Sequence, residues 1–152
     1  MAVAGRQIGW LQPTFHRNFR ALLFSSALRQ GVAVPVYCLM PDHLHVLVAG
    51  IHPAADQLLW AKAFRRALNL RLAPYSLQKQ AYDHLLRPDE SRPDAFVTLI
   101  HYICENPVRA GLAEHPDAWA YTGACVAELP DLDPRRPDFS DRWWKLWHAS
   151  GL

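Results

Sequence analysis

Two apolar runs separated by a turn signal constrain the fold of this 152-residue chain more than any other feature. Residues 32–40 are rich in β-branched and aromatic side chains, which favour extended backbone. Pro41 and Asp42 form a typical turn pair, and residues 43–49 are a second run of strand-forming residues. The sequence therefore predicts an antiparallel hairpin.

Helical patterns lie on both sides of this hairpin. Apolar spacing predicts helices at residues 18–30, 53–73, 93–106 and 139–148, and alternation predicts a strand at residues 81–87. Residues 1–12 fit either a short strand or an irregular lead-in. The order of helix, two strands, helix, strand and helix predicts an α+β domain, an antiparallel sheet with helices packed on one face.

The overall charge gives little support to nucleic-acid binding. Sixteen Lys and Arg residues oppose 14 Asp and Glu residues, a formal net charge of +2, whereas a strongly basic domain is the usual sign of such binding. Thirteen of the cations are Arg, whose planar guanidinium binds phosphate oxygens better than the Lys ammonium does. The base composition of a genome can produce the same excess of Arg.

The length fits a single domain.

The cysteine pattern favours a reducing compartment. Cys38, Cys104 and Cys125 are an odd number at wide spacing, which matches neither a disulfide framework nor a zinc motif. The sequence has no run of about 18 apolar residues and no signal-peptide pattern. We therefore expect a soluble cytoplasmic protein with no membrane partner.

His43 and His45 are the sharpest local feature. On a strand, residues i and i+2 point to the same face, so both imidazoles project together while Leu44 turns into the core. Two convergent imidazoles can hold one divalent metal. The alternative is a pair of solvent-facing histidines on a hairpin.

Tyr102 and Asn106 are a second feature, near the end of the predicted helix 93–106. Their i, i+4 spacing places them on one face. Tyr102 is displaced from the apolar stripe, so its phenol is expected at a rim, where it could act as a nucleophile. In the alternative, it is an ordinary rim tyrosine and Asn106 only ends the helix before Pro107. The stripe consists of Phe96, Leu99, Ile100 and Ile103.

The predicted helix 53–73 has one apolar and one basic side. Trp60, Phe64, Ala67 and Leu68 fall on the first, and Lys62, Arg65, Arg66 and Asn69 on the second. The basic side has four hydrogen-bond donors and no carboxylate. It fits phosphate contacts, or the charged outer face of any surface helix.

Three segments, in order, carry a resemblance to a known family. Residues 36–48, VYCLMPDHLHVLV, resemble the signature strand pair of the single-tyrosine HUH transposases, and the similarity is greatest to the REP-associated tyrosine transposase branch. Residues 81–87, AYDHLLR, and 102–112, YICENPVRAGL, resemble the later strand and the nucleophile helix of that family. The aromatic segment 119–123 resembles the one that usually follows, so the resemblance covers about residues 32–123.

The resemblance implies a ferredoxin-like α+β fold and a transposase-like activity. It implies that His43, His45 and Asn106 bind a catalytic Mg²⁺ or Mn²⁺ ion and that Tyr102 is the nucleophile. Relatives cleave single-stranded DNA beside hairpins, leaving a 5′-phosphotyrosine and a free 3′-hydroxyl. Tyr82 is the rival nucleophile, but it has no asparagine on the same helix face, as Tyr102 has in Asn106. The DNA-binding candidates are Lys62, Arg65, Arg66 and Arg109. Single-stranded or hairpin DNA is the expected partner, and a homodimer is compatible with the family.

The chain departs from the family pattern at its start. Relatives open with a clear strand, of which residues 7–14 are a poor version, so we expect a gap in the sheet that carries the histidines. This departure keeps open a catalytically inactive, domesticated or truncated relative that acts as a DNA-binding module. A metal site with a structural or sensing role is a third reading. We expect residues 1–123 to form the HUH-type domain and residues 124–152 a tail with a short aromatic helix, packed on the sheet or stacked on DNA.

Overall fold

The computed structural model describes residues 1–79 and 93–151, and these form an α+β domain. Strands β1 (Val32–Leu39), β2 (Leu44–Gly50) and β3 (Thr122–Cys125) build an antiparallel sheet in the order β2-β1-β3. The described helices are α1 (Pro13–Gln30), α2 (Gln57–Arg71), α3 (Pro93–Cys104), α4 (Asn106–Arg109) and α5 (Phe139–Ala149). The predicted hairpin is confirmed as β1 and β2. The predicted strand 81–87, with Tyr82, lies outside the described residues.

Strand β1 is buried along its whole length because helices cover both faces of the sheet. Val34, Tyr37 and Leu39 pack with the buried faces of α1 and α2. The alternate residues, Val36 and Cys38 among them, pack with α3 and α5. Helices α1 and α2 pack on one face of the sheet, as predicted, and α3 and α5 pack on the other face. None of the helices among the described residues is long and apolar enough to span a bilayer.

Several helix boundaries differ from the predicted ones, among them the end of α2 at Arg71 rather than at residue 73. Helix α1 begins at Pro13 rather than at residue 18, since proline is well accommodated in a first turn. Helix α2 begins at Gln57 rather than at residue 53, because the Oδ1 atom of Asp56 caps it by accepting from the Leu59 amide at 2.8 Å. Helix α3 ends at Cys104, two residues before the predicted end.

The first residues of the chain lie along the free edge of β2. Ala2 forms an antiparallel bridge with His43, and Val3 forms one with Leu77. The Leu44 amide donates to the Met1 carbonyl at 2.8 Å. The element order is therefore the βαββαβ order of ferredoxin-like folds, and within the described residues the first and last strands of that order are present only as bridges. The expected remnant strand at residues 7–14 is wrong: the strand-like backbone is at Ala2 and Val3, and Pro13 already begins α1.

The C-terminal segment is part of the core. Trp143 of α5 is only 1% exposed and stacks on Phe96 of α3, with 5.6 Å between ring centroids. Ala124, Val126 and Phe139 join the same apolar cluster. The boundary drawn after Gly123 falls inside β3, and the residues that follow pack against the face of the sheet covered by α3.

His16 of α1 packs against Tyr37 of β1, in the core between the helix and the sheet. Its Nε2 atom lies 3.0 Å from the Tyr37 hydroxyl, and its ring contacts Tyr37 and Tyr121 edge-on. Burial, followed by the nearby Arg20 guanidinium, lowers the pKa of His16, while burial raises the pKa of Tyr37 to about 12. A neutral imidazole is therefore hydrogen-bonded to a protonated phenol at physiological pH.

We expect acid to destabilise the fold through this residue. The unfolded chain takes up a proton on His16 near the ordinary pKa of about 6.5, before the folded protein does, so stability falls as pH decreases below that value. His16→Gln cannot be protonated, and its melting temperature should decline less between about pH 7 and pH 5. Thermal melts of both proteins across this range measure the difference, and equal slopes would contradict the assignment.

Candidate metal and nucleophile site

The two predicted histidines meet at the start of β2. The Nε2 atoms of His43 and His45 lie 3.1 Å apart, and the rings are nearly perpendicular. His45 pairs with Cys38 of β1, so it faces the same side of the sheet as Cys38 and Leu47. That side is the one covered by α3. The hairpin thus brings two imidazole nitrogens together on the side of the sheet that α3 covers.

Asp42 orients one of these rings. Its Oδ1 atom accepts a hydrogen bond from Nδ1 of His43 at 2.6 Å, and its Oδ2 atom accepts from Arg6 at 3.0 Å. Burial alone would raise the pKa of Asp42, but these two partners hold it below its ordinary value. A carboxylate can only accept, so Nδ1 of His43 carries the proton, and in the neutral ring Nε2 presents a lone pair towards His45.

His45 is a neutral imidazole at physiological pH. Burial, the neighbouring His43 ring and the amino group of Met1 lower the pKa of His45 to about 4. A metal-binding histidine must be unprotonated. His45 therefore meets this requirement without competition from protons at neutral pH.

The nitrogen pair fits two ligands of one divalent ion. Two imidazole nitrogens that converge to 3.1 Å could bind the same cation. The carboxylate behind His43 is the usual support for such a ligand. Within residues 1–79 and 93–151, no three His, Cys, Asp or Glu side chains are grouped to hold a metal.

Two cysteines lie on the side of the sheet that the histidines face. Cys38 of β1 and Cys104 at the end of α3 belong to the same buried apolar cluster. Burial raises their pKa values to about 11 and about 12, so both thiols are protonated at neutral pH. Since Cys38 pairs with His45, this cluster brings the end of α3 near the strand pair that carries the histidine.

Tyr102 lies on the outer side of α3, as its displacement from the apolar stripe predicted. The residue is 46% exposed, whereas Phe96, Ile100 and Ile103 are buried. The guanidinium carbon of Arg109 lies 4.6 Å from the centroid of the Tyr102 ring, a cation–π distance. Arg109, predicted to contact phosphates, is exposed and fixed beside the proposed nucleophile.

Asn106 begins α4 and caps the end of α3. Its Nδ2 atom donates to the carbonyl oxygens of Tyr102 at 3.0 Å and Ile103 at 3.3 Å. No hydrogen bond or ring contact among the described residues joins Tyr102 or Asn106 to either histidine. The structure therefore shows a histidine pair on the hairpin and a Tyr–Asn–Arg group at the end of α3, both associated with one face of the sheet.

The predicted basic face of α2 divides into two parts. A guanidinium nitrogen of Arg65 donates to the Gln78 carbonyl, and the Leu77 amide donates to Oδ1 of Asn69 at 2.7 Å. These two residues hold the chain after α2 against the helix. Lys62 and Arg66 are exposed. Helix α2 packs on the face of the sheet opposite the histidines, a relation that sequence periodicity does not contain.

Comparison with known proteins gives no independent identification. No family model, no curated protein and no solved structure matches the chain. The chemistry of the site therefore has to be argued from its own residues.

Sequence reasoning missed Asp42 and Arg6. Asp42 was interpreted only as a turn residue, although a carboxylate directly before a histidine pair is a signal for a supporting hydrogen bond. We expect Asp42→Asn to weaken Mn²⁺ binding about 10- to 100-fold, the usual cost of losing such a support. Titration calorimetry measures the change. Arg6→Gln, which leaves the Asp42–His43 bond in place, should weaken binding much less, and unchanged affinity in Asp42→Asn would contradict the role.

Proposed function

We propose that the protein is a metal-dependent, single-strand-specific DNA endonuclease and strand transferase that acts near DNA hairpins. One observation carries the proposal: the Nε2 atoms of His43 and His45 converge to 3.1 Å on the sheet face that α3 covers. The same α3 bears the exposed Tyr102. The resemblance of three ordered segments to the single-tyrosine HUH transposases supports it. The proposed place of action is the cytoplasm, consistent with three free cysteines.

The proposed metal site consists first of the two histidines on the hairpin. His43 and His45 would hold a Mg²⁺ or Mn²⁺ ion, and the Asn106 amide oxygen would join them when substrate brings the two groups together. When bound, the ion would polarise the scissile phosphate and neutralise charge that grows on its oxygens. Imidazole alone suits Zn²⁺ or Mn²⁺ as well, so the preference for Mg²⁺ or Mn²⁺ comes from the family resemblance.

Tyr102 would supply the nucleophile. Its phenolic oxygen loses its proton to solvent and attacks the phosphorus, forming a new P–O bond as the bond to the 3′ oxygen breaks. The departing 3′ oxygen takes up a proton, and the DNA remains joined to the protein as a 5′-phosphotyrosine ester. A later 3′-hydroxyl reverses the exchange, so the strand is rejoined without a nucleotide cofactor. Arg109, beside the ring, would orient the phenol and contact a DNA phosphate.

A second candidate is a non-catalytic module that recognises structured single strands. Two observations favour it: the Asn106 amide is engaged with its own helix end, and the strand beside His43 is reduced to bridges. This candidate predicts salt-sensitive DNA binding without a covalent product, and tolerance of Tyr102→Phe. A structural or sensing metal predicts chelator-sensitive melting without oligonucleotide affinity.

The test is incubation with a single-stranded oligonucleotide that contains a hairpin, with Mn²⁺ or with a chelator. The proposal predicts a protein–DNA adduct that survives denaturing electrophoresis and forms only with metal. A fully duplex oligonucleotide of the same sequence should give none. Binding without an adduct, under conditions where the hairpin is bound at saturation, would replace this proposal with the non-catalytic module.

A further inference from the structure

A cavity of about 240 Å³ lies between α3 and the segment that leads into α5. Val97, Ile100 and His101 line one side of it, and their i, i+3, i+4 spacing places them on a single face of α3. The other side is formed by residues 134–137 together with Phe139 and Ser140. We call this space the α3 cavity. Its lining includes none of the residues of the proposed metal and nucleophile site.

Arg135 holds one wall of the α3 cavity in place. Its Nε and Nη2 atoms donate to the Asp133 carboxylate at 2.9 Å and 2.8 Å, and its Nη1 atom donates to the Trp119 carbonyl at 3.3 Å. All three nitrogens of this guanidinium are therefore already engaged. Arg135 belongs to the wall, and the cavity is formed without any ligand.

Most of the lining of the α3 cavity is apolar. Ile100 and Phe139 are buried side chains of the core, and Val97, Pro134 and Pro137 complete the apolar walls. Apolar cavities of about 150 Å³ hold benzene, and sites for drug-sized molecules are about 300 Å³ or larger. The volume of the α3 cavity therefore suits one aromatic ring that carries a small polar group.

Three further residues supply the polar part of the lining: His101, Arg136 and Ser140. Arg136 is exposed, and its side chain forms no ion pair or hydrogen bond within residues 1–79 and 93–151. The imidazole of His101 and the hydroxyl of Ser140 also have no hydrogen-bond partner in this part of the chain. A guanidinium, an imidazole and a hydroxyl at the rim of an apolar cavity are suited to bind an oxyanion.

We propose that the α3 cavity binds a small aromatic carboxylate, with its ring against the apolar walls and its carboxylate on Arg136. This inference goes beyond the proposed function and does not depend on it. The two oxygens of a carboxylate match the planar fork of a guanidinium.

The charge around the α3 cavity favours a single negative charge on the ligand. Residues 131–142 contain four Asp and three Arg, so their formal charges nearly cancel. Asp133 is moreover paired with Arg135, which leaves Arg136 as the free guanidinium of the lining. A phosphate dianion or a polyanion would meet more repulsion from these aspartates than a monoanion does.

The test is a titration of the intact protein with benzoate, followed through the amide chemical shifts in NMR spectra. We expect saturable shifts concentrated in α3 and residues 134–140, with a dissociation constant of about 1 mM or lower. Arg136→Gln should weaken benzoate binding about tenfold or more, since it removes a charge-assisted hydrogen bond. It should leave the binding of benzamide, the neutral isostere, within about twofold of native. The matched control is Lys145→Gln, which removes an exposed cation of α5 outside the cavity and should retain native benzoate affinity.

A second variant tests the cavity without changing its charge. Val97→Phe places a ring in the space that the ligand would occupy, so saturable benzoate binding should be lost while the circular dichroism spectrum stays native. Absence of saturable shifts in native protein at about 20 mM benzoate would overturn the inference. Equal losses in Arg136→Gln and Lys145→Gln would also overturn it, because they would indicate unspecific attraction of an anion. Tighter binding of phenyl phosphate than of benzoate would overturn the preference for a monoanion. The titration contains neither DNA nor metal, so its result is independent of the adduct assay.

Discussion

His45→Ala is expected to reduce Mn²⁺ affinity at least about 100-fold and to abolish formation of the DNA adduct. The substitution leaves one imidazole where two converge to 3.1 Å, and a single imidazole is a weak ligand without partners. Loss of a ligand should exceed the 10- to 100-fold cost of losing a supporting hydrogen bond. Calorimetric titration with Mn²⁺ and the adduct assay measure the two effects separately.

A second histidine substitution provides the control. His148→Ala removes an exposed imidazole from α5 and should leave Mn²⁺ affinity and adduct yield at native values. If His45→Ala also retains native Mn²⁺ affinity, the metal binds elsewhere and the site is wrongly assigned. Protein that melts at the native temperature but has lost Mn²⁺ binding is the result that the assignment requires.

Tyr102→Phe should eliminate the covalent adduct while leaving binding of hairpin DNA within about twofold of native. The substitution removes only the nucleophilic oxygen and keeps the ring beside Arg109. The side chain is half exposed, and no hydrogen bond among the described residues uses its hydroxyl, so stability should change by less than about 0.5 kcal/mol. Denaturing electrophoresis of labelled oligonucleotide measures the adduct.

Tyr82→Phe is the informative comparison for that experiment. Tyr82 is the rival nucleophile from the sequence, and the account predicts a native adduct yield when its hydroxyl is removed. An adduct lost in Tyr82→Phe and kept in Tyr102→Phe would transfer the chemistry to Tyr82. An adduct lost in both would mean that one hydroxyl attacks and the other positions it, which contradicts a single independent nucleophile.

The hairpin and its histidine pair could be predicted because their signals are local. Because side chains alternate along a strand, His43 and His45 must lie on one face, and the turn at Pro41 and Asp42 indicates that the two strands are antiparallel. The helix containing Tyr102 was equally readable, since its apolar stripe excludes that residue. The predicted end of this helix at residue 106 was two residues too late, and the alternative in which Asn106 ends the helix agrees with its side-chain hydrogen bond to the Tyr102 carbonyl.

The remaining differences depend on contacts between distant segments. Arg65 looked like a free cation, and only the fold brings the Gln78 carbonyl to it. Leu28 has near-helical spacing with the core residues of α1, yet it is 55% exposed. Periodicity also cannot say which side of a sheet a helix covers, so the separation of α2 from the histidines became visible only in three dimensions.

The central claim is that the end of α3 and the histidine pair act together on single-stranded DNA. The most direct measurement is mass-spectrometric mapping of the native protein after incubation with a hairpin-bearing oligonucleotide and Mn²⁺, followed by nuclease and protease digestion. We expect a 5′-phosphonucleotide on the peptide that contains Tyr102, dependent on metal and on both His43 and His45. A modified peptide lacking Tyr102, or an adduct of undiminished yield in a chelator, would contradict it.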